Sequence, residues 1–157
     1  MNTAQSLAKR LQSLYFGHNW TSTNVQSQLE QTNLELATKK LGEHNSLAAL
    51  LFHITYYIEA QLKVLEGGPL DAHDRFSYDV PEFPSEAEWE AFKARCLQLA
   101  KRYIEAVGAL SQEAILHHMA DPKYGSWQQN IQGIIEHSYY HFGQMVVLRK
   151  LLLVKAI

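Results

Sequence analysis

His137 and His141 stand four residues apart in a segment whose apolar positions recur at helical spacing. On an α-helix such a pair lies on one face about a turn apart, so the two imidazoles can chelate one metal ion, as the histidines of HExxH do. With 8 histidines in the chain a pair at this spacing also arises by chance, and the alternative is two surface or hydrogen-bonded side chains. A third histidine, His53, falls amid Leu50, Leu51, Ile54 and Tyr57. An imidazole buried there costs free energy unless its ring nitrogens find partners, and a metal shared with His137 and His141 would supply one. Three neutral imidazoles suit zinc, nickel, iron or copper and not magnesium or calcium. Three protein ligands leave a coordination position free, the pattern of a catalytic site at which a water or an incoming thiol is activated.

The neighbours add polar candidates. Gln144 shares the helix face of His137 and His141, where it holds a metal-bound water or substrate oxygen or else packs at the bundle end or a dimer contact. Asn130, two turns before His137, lines the pocket or bonds the adjoining loop. Tyr57, one turn after His53, donates a proton or hydrogen bond, or is a core tyrosine with a bonded hydroxyl. These three are the candidate catalytic residues, and His53, His137 and His141 the candidate metal ligands. No carboxylate stands out as a general base. His44 reads as a packing residue or one that supports a ligand, His117 and His118 as exposed, and His18 and His73 as loop residues. Trp20 and Trp127 read as core, and Cys96, on an apolar helix face, as an inert small hydrophobe.

Helices must position these groups. Leu7, Leu11, Leu14 and Tyr15 predict a first helix from about Thr3 to Phe16, stopped at Gly17. Val25, Leu29, Leu34 and Leu36 predict one or two short helical turns. The second long helix begins after Asn45 or Ser46 and ends at Gly67-Gly68-Pro69. Ser85 to Glu88 and Ser126 to Gln129 are capping boxes that open the third and fourth. The third runs to Gly108 or Ala109. Near the end of the fourth, Arg149, Lys150 and Lys155 suit the helix dipole, while Gly133 and Gly143 within it permit close approach of a neighbour. Pro69–Pro84 reads as a long connection over one end of the domain, and loops of that length are functional or flexible more often than average. Nothing alternates like a strand. The fold class is all-α, a four-helix bundle with long inter-helix loops, in a single domain over residues 1–157.

Two segments carry a resemblance. One is the run from His44 to Ile54 that contains His53, followed by Tyr56-Tyr57. The other is Tyr124-Gly125-Ser126-Trp127, then Asn130, then the His-x-x-x-His-x-x-Gln element His137, His141 and Gln144. In these, and in the Gly17–Trp20 loop, the chain resembles the DinB-like superfamily, the group that includes the YfiT-type metalloenzymes, over essentially its whole length. The resemblance implies a four-helix bundle of crossed topology, commonly dimeric, with His53, His137 and His141 as metal ligands. Asn45 is a departure: it separates His44 from Ser46 where relatives often have the two adjacent. Similar proteins include thiol transferases using bacillithiol, mycothiol or glutathione, and isomerases of maleylpyruvate type. The expected function is a metal-dependent enzyme holding zinc, nickel or iron and activating a low-molecular-weight thiol. The alternatives are a hydrolase acting through metal-activated water and a non-catalytic interaction protein.

Composition bounds these readings. Fourteen basic against 16 acidic side chains give a formal net charge of −2, without the basic footprint of a nucleic-acid-binding protein. One cysteine excludes an internal disulfide framework and a Cys-only metal site. No apolar run approaches the ~20 residues that span a bilayer, and no signal peptide is evident, so the expectation is a cytoplasmic protein. The second and fourth long helices are apolar around much of their circumference, which together with the resemblance predicts a homodimer.

Overall fold

The computed structural model describes residues 2–154, which are all-helical and contain no strand. Six α-helices follow in order: α1 (Thr3–Tyr15), α2 (Val25–Leu29), α3 (Leu34–Thr38), α4 (Leu47–Leu65), α5 (Glu86–Gly108) and α6 (Trp127–Val154). Short 3-10 turns lie at Asp74–Phe76, Ala114–Leu116 and Pro122–Tyr124.

The helix boundaries follow from local chemistry. The Ser46 hydroxyl accepts from the Ala49 N–H and starts α4. At its end Gly67 takes a left-handed φ of 87°, and the Gly68 N–H returns to the Lys63 carbonyl at 2.8 Å, closing the last turn. Ser126 and Gln129 form the reciprocal box expected at the start of α6, with Ser126 N–H donating to Gln129 Oε1 at 2.9 Å. At α5 the box is altered: Ser85 Oγ accepts from the Glu88 N–H, but the Glu88 carboxylate accepts from the Ser85 hydroxyl and not from its backbone. Arg149 and Lys150 precede the last turn of α6, where Arg149 donates to the side chain of Gln31 at 2.9 Å. Lys155 lies outside the described residues.

The principal packing pairs are α1 with α5 and α6, and α4 with α5 and α6. Of the long helices that follow one another in sequence, α4 and α5 pack together, but α1 with α4 and α5 with α6 are not among these pairs, so the chain crosses the core at those two connections. That arrangement needs long connections, and it puts α4 beside α6, the two helices that carry the histidines. Leu51, Ile54 and Ile58 of α4 meet Ile131, Ile135 and Phe142 of α6 in one buried apolar cluster, which also takes Leu11 and Leu14 of α1 and Trp89, Tyr103 and Val107 of α5. A buried polar chain links three of these helices. Tyr103 donates to Gln61 Oε1 at 2.6 Å, and Gln61 donates to the Asn130 carbonyl at 3.4 Å. Gly133 and Gly143 do not admit a neighbouring helix: a Cβ added at either would meet nothing within 4 Å. Among the described residues no helix is long and apolar enough to cross a membrane.

Candidate metal centre

His53 projects from α4 towards His137 and His141 on the adjacent α6. The ring centroids are 4.8 Å apart for His53 and His137, 4.6 Å for His53 and His141, and 4.5 Å for the two on α6. Each ring offers a nitrogen within 4.8 Å of the others, so the three could hold a metal ion. His53 and His141 are buried and His137 is half-buried. The buried neighbours Leu51 and Ile54 on α4, and Ile134, Ser138 and Phe142 on α6, fix the helix faces from which the rings extend.

Hydrogen bonds set the tautomers. His53 Nδ1 lies 3.2 Å from the carbonyl oxygen of Ser77, which can only accept, so Nδ1 carries the hydrogen and Nε2 keeps its lone pair. His141 Nδ1 lies 2.7 Å from Gln144 Oε1 and is a donor by the same reasoning. Metal-binding histidines are oriented in this way, through a hydrogen bond from the ring nitrogen that does not bind. His137 Nε2 and His53 Nε2 are 3.0 Å apart. Without a metal, His137 must donate across that gap. Two nitrogens each ~2.0–2.1 Å from one zinc ion stand roughly 3.0–3.4 Å apart, so the observed spacing also fits joint ligation.

The electrostatics favour neutral rings at His53 and His137. Burial lowers the His53 pKa, the Ser77 and Asp74 oxygens partly oppose that, and His141 adds to it. Burial, then the neighbouring His141 and His53, push His137 down from 6.5 to about 4. A neutral imidazole is the form that binds a metal. The sign of the linked stability follows. As pH falls below 6.5 the unfolded chain takes up a proton at His137 that the folded chain refuses until about 4, so the fold loses stability across that window and is insensitive to this group above it. The thermal midpoint of metal-free protein should therefore drop from pH 7 to pH 4.5, and drop less in His137→Asn. Parallel profiles for the two proteins would refute the assignment.

The connection from Pro69 to Pro84 folds over the cluster and supplies residues that the sequence did not point to. Tyr78 stacks on His53, with centroids 4.0 Å apart and planes within 9°. Ser77 provides the carbonyl that orients the same ring. Tyr57 sits edge-on to both His53 and His137 at 5.2 Å, and its hydroxyl donates to Asp74 Oδ1 at 2.9 Å. Tyr56 clasps the segment from α4, donating to the His73 carbonyl at 3.1 Å and accepting from the His73 N–H at 2.8 Å. Tyr140, exposed, stands edge-on to His141 at 4.8 Å. The available signals were the length of the connection and the abundance of tyrosine.

Tyr57 thus lies against the histidines. Gln144 reaches them too, but on the Nδ1 side of His141, where it positions the ring. Asn130 does not: both its amide bonds, 2.8 Å each, go to the carbonyls of Tyr124 and Ser126. His44 is exposed and lines a cavity of about 550 Å³ with Leu41, Leu50, Gln144, Val147 and Leu151, which borders Gln144 but none of the three histidines. His18, His73, His117 and His118 are exposed. Cys96 is buried on α5 and its thiol is pushed up to about 12, chiefly by desolvation, so it is unreactive at neutral pH. Trp127 is in the core, but Trp20 is not; it is fully exposed. No protein-family model matches the chain, and no curated protein or solved structure matches it either.

Proposed function

We propose that the chain is a metal-dependent enzyme of the DinB-like kind, a four-helix bundle in which His53, His137 and His141 hold zinc, nickel or iron, and that it transfers a low-molecular-weight thiol to a small electrophile. The observation that supports this is the convergence of three imidazoles, two of them oriented by Nδ1 hydrogen bonds that leave Nε2 free to bind. A divalent metal in that centre would lower the pKa of a thiol or water.

The chain's own groups favour the thiol. Among the described residues no carboxylate hydrogen-bonds a ring of the cluster; Asp74 instead accepts from the Tyr57 hydroxyl. A thiol with pKa about 8.5 needs far less help to lose its proton at neutral pH than water does, so a base-poor site suits it. The chain's single thiol, Cys96, is buried and unreactive, so the sulfur nucleophile comes from outside. Ser77 and Gln144 hold two of the rings, and Tyr78 and Tyr57 pack against them.

Thermal unfolding of zinc- or nickel-loaded protein tests the reading, with glutathione, bacillithiol and mycothiol added in turn. At least one should raise the midpoint of loaded protein and leave metal-free protein unchanged. No shift with any of them would count against thiol chemistry. We also propose a homodimer. Tyr140, Val147, Leu151 and Val154 form an exposed apolar stripe at helical spacing along α6, which a second copy would cover. Light scattering should then give twice the 18.0 kDa of one chain.

A further inference from the structure

Trp20 is 104% exposed, whereas Trp89 and Trp127 are 0% and 8% exposed. Its position is not a consequence of a loose loop. The Asn19 side chain donates to the Ser13 and Thr23 carbonyls and accepts from the N–H and hydroxyl of Thr21, all at 2.6–2.8 Å. Asn24 ties back to the Gly17 carbonyl at 3.1 Å, and Ser22 is held at a φ of 57°, the left-handed region a serine seldom adopts. A braced segment therefore keeps a large aromatic face in solvent.

That face borders a groove of about 870 Å³ whose lining includes Lys9 and Arg10 from successive positions of α1, His18 from the braced loop, Ser13 and Tyr139. No acidic side chain lines it. Among the described residues Lys9 and Arg10 have no carboxylate partner and no side-chain hydrogen bond, so both charges are free to face the groove. Unpaired cations, hydroxyl and imidazole donors and one exposed indole together select for negative charge joined to a flat ring. The volume suits a small molecule. The net charge of −2 argues against a nucleic acid strand.

We infer that the groove between α1 and the Gly17–Asn24 loop is a second binding site, distinct from the histidine cluster, for a small aromatic anion whose ring stacks on Trp20 while its phosphate or carboxylate is held by Arg10 and Lys9. The geometry needs both halves of the ligand, and each half has its own residue.

Isothermal calorimetry on the full chain tests this with four probes. Adenosine monophosphate and indole-3-acetate carry a ring with phosphate or carboxylate; adenosine lacks the anion, and inorganic phosphate lacks the ring. At least one aromatic anion should bind with a dissociation constant below about 1 mM and at least about tenfold more tightly than adenosine and inorganic phosphate. Which of the two binds identifies the acid. Trp20→Ala and Arg10→Glu, both at exposed positions, should each weaken that binding by about tenfold or more, with circular dichroism and bound-metal content unchanged. Failure of both aromatic anions to bind below that limit overturns the inference, and so does binding that both variants retain. Self-association of the parent that Trp20→Ala abolishes would also overturn it, because a second copy would then be the partner of the indole.

Discussion

His137→Ala is expected to remove stoichiometric metal from protein loaded with zinc or nickel, weakening affinity by more than about 100-fold. The bound on that figure comes from the rest of the site. Losing a residue that only orients a ligand costs about 10–100-fold, and Gln144→Ala, which removes the acceptor 2.7 Å from His141 Nδ1, should fall in that range. Removing a ligand itself should exceed it, and His53→Ala and His141→Ala should match His137→Ala. His137 is the cleanest of the three to test. It is half-buried, so its truncation leaves no large cavity, whereas His53 and His141 are buried. Elemental mass spectrometry after loading and desalting reads the metal, and circular dichroism verifies the fold. Full metal retention in His137→Ala would show that the 3.0 Å approach of His137 to His53 is a polar contact of the core and nothing more. A parent chain that binds neither metal would remove the basis of the enzyme proposal.

The ligand geometry was legible in the sequence because helical periodicity is local. The four-residue spacing of His137 and His141 fixes their relation whatever the tertiary structure, and Ser46 and Ser126 mark where the helices of the three histidines begin. His53 required one further step, that α4 and α6 pack side by side. The crossings of the chain from α1 to α4 and from α5 to α6 make them do so, and helix periodicity carries no information about it. What surrounds the rings was not legible. The Ser77 carbonyl is backbone, which any residue could present, and it reaches His53 from 24 residues along the chain, across the connection that follows α4. Asn130 has the spacing of a site residue, yet two carbonyls nearer in sequence capture its amide. Trp20 was expected in the core on residue type alone. The Asn19 side chain decides otherwise by satisfying the loop's backbone locally, so that the segment need not fold inward. Gly133 and Gly143 invite a close neighbour on the usual logic of small residues, but both face open space.

Phe142→Ala should separate the stability of the bundle from the integrity of its site. Phe142 is 2% exposed in the core cluster, one residue after His141 and rotated away from it around α6. Truncating a buried phenylalanine to alanine costs about 3–5 kcal/mol, from lost transfer energy and the cavity left behind. For a chain of this size that lowers the thermal midpoint by roughly 6–20 °C. The three histidines keep their partners in this variant: Ser77 and Gln144 orient two of them and the α4–α6 contact still has Leu51, Ile54, Ile131 and Ile135. Metal at a hundred times its dissociation constant stabilises the folded state by about 2.7 kcal/mol, because only the folded chain brings the three rings together. Adding zinc or nickel should therefore raise the midpoint of Phe142→Ala by about the increment, in free energy, that it gives the parent. The double variant Phe142→Ala/His137→Ala should show no such rise. Equal responses in the single and double variants would mean that the metal acts elsewhere on the chain. A single variant that folds but has lost its response would mean that the Phe142 packing, and not the hydrogen bond to Gln144, holds His141 in place.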